Sequence, residues 1–183
     1  MRVAIVSVTN DLTTDQRVDR SCRALQKAGY DVLLVGRRLR NSKSLAPRSY
    51  QMHRMRLLFD TGPLFYAEYN TALFFYLLFH HASLLFSNDL DTLPANYLAA
   101  RLKWPFRNRQ KAKSRIRHVH DCHEYFRGVP ELNGRKTVIR IWKWIEDRIF
   151  PKLSHVVAVN QSIADLYAAE YGNAISVVRN VPV

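Results

Sequence analysis

The chain has 183 residues, 48% of them hydrophobic, and its 28 Lys and Arg against 15 Asp and Glu give a formal net charge of +13. That length and apolar content exclude a disordered chain and fit one domain over residues 1 to 183 with a single sizeable core. The cationic excess favours anionic partners, with nucleic acid, anionic lipid and phosphorylated substrates all open.

The first residues, "MRVAIVSVTNDL", lack the apolar stretch and small-residue cleavage site of a signal peptide, and Cys22 and Cys122 are the only cysteines. A cytoplasmic protein with reduced thiols is expected. Residues 3 to 8, "VAIVSV", read as a strand. A helix follows in "TTDQRVDRSCRALQKAG": a Thr13-x-x-Gln16 capping box opens it, Val18, Cys22 and Leu25 form its inner stripe, and Gly29 stops it.

"DVLLVG" (31 to 36) reads as a second strand, and a weaker one lies near residues 52 to 58. The stretch from 64 to 86 carries one formal charge, Glu68, over a length that could cross a bilayer. Asn70, Thr71, His80, His81 and Ser83 interrupt it, which predicts a buried helix followed by a strand at 83 to 88, with a membrane-surface helix as the alternative.

Between residues 101 and 117 eight basic residues occur with no acid: Arg101, Lys103, Arg107, Arg109, Lys111, Lys113, Arg115 and Arg117. Such a run reads as a solvated basic loop or as a site for a polyanion or lipid headgroup. Trp104 and Phe106 inside it suit a membrane interface. Further strands are expected at 117 to 122, 155 to 160 and 175 to 180, with a helix in "RKTVIRIWKWIEDRIF" that aligns Val138, Ile141, Trp142, Ile145 and Ile149. Strands apolar on consecutive positions, alternating with helices, predict an α/β doubly wound, mainly parallel sheet.

In such a sheet ligands collect at the carboxyl ends of the strands. Four of those ends are polar: "TND" (9 to 11), "SNDLD" (87 to 91), "HDCHEYF" (120 to 126) and "NQS" (160 to 162). The first turn has no glycine, and neither G-x-G-x-x-G nor G-x-x-x-x-G-K-[ST] occurs, which argues against a dinucleotide-dependent dehydrogenase and a P-loop NTPase.

"HVHDCHEYF" (118 to 126) concentrates three histidines with an aspartate, a cysteine and a glutamate. Along a strand His118, His120 and Cys122 point to one side and Val119, Asp121 and His123 to the other, so the six polar groups do not converge on one ion. No second ligand pair of C-x-x-C or H-x-x-x-H type exists, and no metal is expected. His118 and His120 read as packed or hydrogen-bonded. Asp121, His123 and Glu124, at or past the strand end, are placed to meet a ligand, with Tyr125 and Phe126 as a stacking surface.

Read in order, "NDLTTDQRVDRSCRALQKAGYDV", "SNDLDTLPANYLAARL", "HDCHEYF", "IEDRIFPKLSHVVAVNQSIADLYAAEYG" and "VVRNVP" resemble the N-terminal half of a retaining GT-B glycosyltransferase of the family 4, or group 1, type. The resemblance implies a Rossmann-like acceptor-side domain. It also implies transfer of a sugar from a nucleotide diphosphate sugar, the donor substrate, to a lipid-linked or polysaccharide acceptor, with no further cofactor. His123 falls where the family places a histidine near the transferred sugar, and Glu124 beside it is positioned for acceptor hydroxyls. The first turn, glycine-bearing in the family, here carries Asn10 and Asp11.

Asn88 and Asp89 match a strand end that faces the same cleft, as do Asn160 and Ser162, the latter also readable as a helix cap. In the family a C-terminal domain supplies most donor contacts, and the resemblance gives this chain no such domain, so the chain alone is expected to turn over little. An anionic membrane surface at the inner face of the membrane is an expected partner, through Arg107, Arg109, Lys111, Lys113 and Arg115. The alternative is a stand-alone basic module for nucleic acid or another polyanion, although no nucleic-acid fold signature appears.

Overall fold

The computed structural model describes residues 2–13, 15–106, 116–128 and 134–179. Among these, seven strands form one sheet: β1 (Val3–Ser7), β2 (Asp31–Arg38), β3 (Gln51–Arg56), β4 (Leu84–Asn88), β5 (Arg117–Cys122), β6 (Val156–Ala158) and β7 (Ile175–Val177). Helices α1 (Gln16–Lys27), α2 (Gly62–Phe79), α3 (Leu93–Phe106), α4 (Lys136–Ile149) and α5 (Gln161–Tyr171) connect most of them. Every neighbouring pair is parallel, in the order β3-β2-β1-β4-β5-β6-β7. The order reverses between β1 and β4, which is the doubly wound α/β arrangement expected.

Both faces of the central strands are covered, which is why their sequences are apolar at consecutive positions. Ala4 and Val6 pack toward Val18 and Cys22 of α1, while Ile5 and Leu85 face Phe65, Tyr69, Leu73 and Leu77 of α2 and Ala95 and Ala99 of α3. α2 follows the expectation of a buried helix before a strand, because its four inward residues recur every fourth position. Leu64, Phe75 and Phe79 stay exposed on its outer side. Among the described residues no helix is long and apolar enough to cross a membrane.

Two local expectations are corrected. The cap of α1 is Asp15 rather than Thr13: its carboxylate accepts from the amides of Arg17 and Val18 at 3.1 Å, so the helix starts at Gln16 and Thr13 lies outside it. In α4, Ile141 is 51% exposed and Glu146 only 1%. Ile141 sits about 100° around the helix from the buried Trp142, whereas position 146 shares Trp142's face. Tyr171 donates its hydroxyl to Glu146 Oε2 at 3.2 Å, which makes that burial tolerable.

The basic run is not one loop. Arg101 and Lys103 lie on α3 and Arg117 opens β5. Arg107, Arg109, Lys111, Lys113 and Arg115, the expected membrane contacts, lie outside the described residues.

Candidate active site

Three chain segments meet beyond the carboxyl ends of β1, β4 and β5, beside the point where the strand order reverses. The turn after β1 is bound to β2 by Val8 N–H to Val35 O (3.0 Å) and Arg37 N–H to Asn10 O (3.3 Å). Gly36 permits this crossing. A Cβ there would meet Leu12 Cδ2 and lie 2.6 Å from the Asn10 carbonyl oxygen. The turn therefore packs tightly without any glycine of its own.

Asp89, the first residue past β4, has φ +57°. Few residues other than glycine adopt that conformation, and aspartate is among the more tolerant. The turn keeps the Asp89 amide on Asp121 O at 2.9 Å and brings its carboxylate Oδ1 to the amide of His123 at 3.1 Å. Asp89 thereby fixes the position of the chain immediately after β5.

His123 is 8% exposed. Its Nε2 lies 3.2 Å from Asp121 Oδ2 and 3.3 Å from Asn88 Oδ1. Asn88 donates Nδ2–H to Ser7 O at 2.9 Å, so its amide oxygen must face the imidazole. An oxygen can only accept, so Nε2 carries the proton and Nδ1 is the lone-pair nitrogen. Nδ1 is buried and has no hydrogen-bond partner. Sequence, backbone and neighbours thus combine to hold one buried, unpartnered acceptor at the carboxyl edge.

Burial dominates the electrostatics. It pushes His123 down to about 4, with the Arg17 cation adding to the effect. It pushes Asp121 up to about 7 against the opposing pull of Arg17. Asp91 rises to about 6 through burial, offset by the Thr9 hydroxyl that donates to its Oδ2 at 2.5 Å. Asp89 is raised well above the usual carboxylate range by burial and by Asp91. The result is a desolvated group of weak acids around a neutral imidazole, a concentration of shifted groups typical of sites that bind or react.

The structure brings Asn88, Asp89, Asp121 and His123 together, adds Thr9 and Asp91 from the polar strand ends already marked, and adds Arg17, which sequence reasoning did not single out. Arg17 could have been found from its place in the first turn of α1, where a side chain faces the carboxyl edge. The remaining sequence candidates fall elsewhere. Asn10 is exposed beside the crevice. Asp11 pairs with Arg54 at 3.0 Å and accepts from Ser42 at 2.5 Å; burial alone would raise it, but these two partners bring it down.

Glu124 is exposed. Tyr125 packs on Tyr167 with ring centroids 5.4 Å apart and donates to Glu170 at 3.2 Å, while Phe126 packs on Trp142. Asn160, not Ser162, caps α5, accepting from the Ile163 amide at 2.9 Å. His118 Nε2 and His120 Nδ1 lie 2.9 and 3.0 Å from Ser87 Oγ, so these two histidines are hydrogen-bonded as the sequence suggested. Among the described residues, no group of three or more His, Cys, Asp or Glu is arranged to hold a metal ion.

The parallel sheet, its reversal between β1 and β4 and the crevice there define a Rossmann-like domain of GT-B type. The chain belongs to Glycosyltransferase Family 4, whose model matches residues 15–181, and it is a glycosyltransferase domain. Its fold resembles that of a sucrose-phosphate synthase from Thermosynechococcus elongatus, with TM-score 0.58, 14% identity and coverage of 100% of this chain and 89% of that one. A lipopolysaccharide outer core galactosyltransferase, WaaB, gives TM-score 0.59 at 11% identity, covering 100% of this chain and 46% of its own. A UGT transferase from Siraitia grosvenorii in complex with UDP gives 0.58 at 9%, covering 100% and 51%. The chain thus spans about half the length of the last two. No curated protein matches it in sequence.

Proposed function

We propose that this chain is the acceptor-side half of a retaining hexosyltransferase that moves a sugar from a nucleotide diphosphate sugar to a lipid-linked or polysaccharide acceptor. The observation that carries the reading is His123, held neutral in the crevice with Nδ1 unpartnered. A lone-pair nitrogen there accepts a hydrogen bond from a sugar hydroxyl and orients the sugar without introducing charge. In the transfer, the bond from the anomeric carbon to the diphosphate oxygen breaks and the diphosphate leaves. A bond from that carbon to the acceptor oxygen forms, and the acceptor hydroxyl's proton passes to the departing diphosphate.

Along the same edge a cavity of about 570 Å³ separates the start of α2 from α4. Phe65, Tyr66, Trp142 and Ile145 make its apolar wall, and Arg37 and Arg135, with Asp60, its mainly cationic rim. Arg37 stacks 4.4 Å over the Phe65 ring, and its buried Nε lacks a hydrogen-bond partner. An apolar wall beside cations fits an amphipathic acceptor with an anionic head. Half-length coverage of two neighbours supports a donor-binding domain outside this chain, without which the developing charge on the leaving group has no organised stabiliser.

The test is His123→Ala in the protein that carries this domain, assayed for transfer from a panel of nucleotide sugars. Turnover should fall by about 10²-fold with the fold intact by circular dichroism. Near-normal turnover removes His123 from the site.

A further inference from the structure

The crevice accounts for the polar strand ends but not for the two ends of the basic run, Arg101 and Arg117. These residues, sixteen positions apart in sequence, line one cavity of about 430 Å³ at the opposite, amino edge of the sheet. Tyr97 and Arg101 come from α3, Arg117 and His118 from the start of β5, and Lys152 and Ser154 from the segment before β6. No carboxylate among the described residues lines it. Among the described residues Arg101, Arg117 and Lys152 make no ion pair.

A second observation is independent of charge. Tyr97 is 9% exposed, and its hydroxyl is buried without a hydrogen-bond partner. The Arg101 guanidinium lies 4.8 Å from the centroid of the same ring, which holds that cation at the cavity wall. Three cations facing one space with no acid repel each other, and a buried hydroxyl without a partner is costly to desolvate. One ligand relieves both: an anion with several oxygen acceptors.

We propose that this cavity binds a phosphate-bearing group, with Arg101, Arg117 and Lys152 as its charge partners and the Tyr97 hydroxyl as a neutral donor. His118 stays out of the charge balance, because burial and His155 push it down to about 4. The crevice and this cavity open on opposite edges, so both are occupied at once without competition. The phosphate belongs either to a soluble anion or to a lipid headgroup.

The test uses the whole chain, isotope-labelled, titrated with inorganic pyrophosphate at low ionic strength and followed by amide shifts. Saturable shifts are expected at Tyr97, Arg101, His118 and Ser154, with Asp89 and His123 unmoved. The double variant Arg101→Gln, Arg117→Gln should weaken binding by about tenfold or more, and Tyr97→Phe by a smaller factor. Lys43→Gln with Arg56→Gln removes equal charge from elsewhere on the surface and should leave affinity unchanged.

Flotation with phosphatidylcholine vesicles, with and without phosphatidic acid, separates the sources. Flotation that needs phosphatidic acid and is lost in the double variant assigns a lipid headgroup. Saturable pyrophosphate binding without flotation assigns a soluble phosphate. Shifts confined to the crevice, equal weakening by the remote pair, or neither binding nor flotation overturns the proposal.

Discussion

At the carboxyl edge of the sheet, buried acids with raised pKa values surround an uncharged imidazole; at the amino edge, exposed arginines and a lysine surround a cavity that no acid lines among the described residues. One strand, β5, contributes to both, through Arg117 and His118 at its start and Asp121 at its end. Within β5, His118 and His120 are satisfied by Ser87, while His123, just past the strand, keeps one nitrogen open. Inside a strand, neighbouring strands supply partners at fixed spacing. Beyond its end the chain leaves the ladder, and unpaired groups face whatever enters.

The strongest way to break this contrast is to set His123→Ala against Ser87→Ala. The first should cost about 10²-fold in transfer, whereas the second should leave transfer near normal and lower stability by about 1–2 kcal/mol in chemical denaturation. Equal loss of transfer from both would dissolve the distinction between a strand-interior and a post-strand role.

Next in size is Gly36→Ala. The added methyl meets Leu12 and the Asn10 carbonyl, so stability should fall by about 3 kcal/mol as the turn that borders the crevice is displaced. A variant as stable as the parent would show that the turn is loosely held.

Asp121→Asn sharpens the electrostatic side. Burial raises the Asp121 pKa to about 7, so the folded state binds its proton more tightly than the unfolded chain does. That stability is present at low pH and is lost as pH rises from about 4 to about 7. His123 acts oppositely: with its pKa depressed to about 4, stability is lost as pH falls from about 6.5 toward 4. The asparagine removes only the first dependence. Relative to the parent, the variant should therefore gain roughly 4 kcal/mol between pH 4 and pH 8. Melting at both pH values measures it, and a pH-independent difference would show that Asp121 is not desolvated.

Smallest is Asp15→Ala, which removes the cap of α1 and should cost about 1 kcal/mol, with little change in transfer, if the cap only holds the helix start. A larger effect on transfer than on stability would place Arg17, two residues on, in substrate contact.

The sequence by itself determined the parallel α/β class, because strands covered on both faces must be apolar on consecutive positions and helices must show an inner stripe. It located β5 at residues 117 to 122 and the helix within the apolar stretch before β4, and it singled out the strand ends as the polar places. It also read His118 and His120 as hydrogen-bonded within the strand, as they are. Tertiary structure alone decided the rest. Asp11, Tyr125 and Asn160 are polar or aromatic residues at the right edge, but Arg54, Glu170 and the Ile163 amide occupy them. Thr9 met Asp91, and Arg101 met Arg117 across sixteen residues, through spatial neighbours that no local pattern records. Periodicity reports which face a side chain takes, since that is set by backbone geometry within a few residues. Whether a polar group there is satisfied or open depends on residues that come close only once the sheet is assembled.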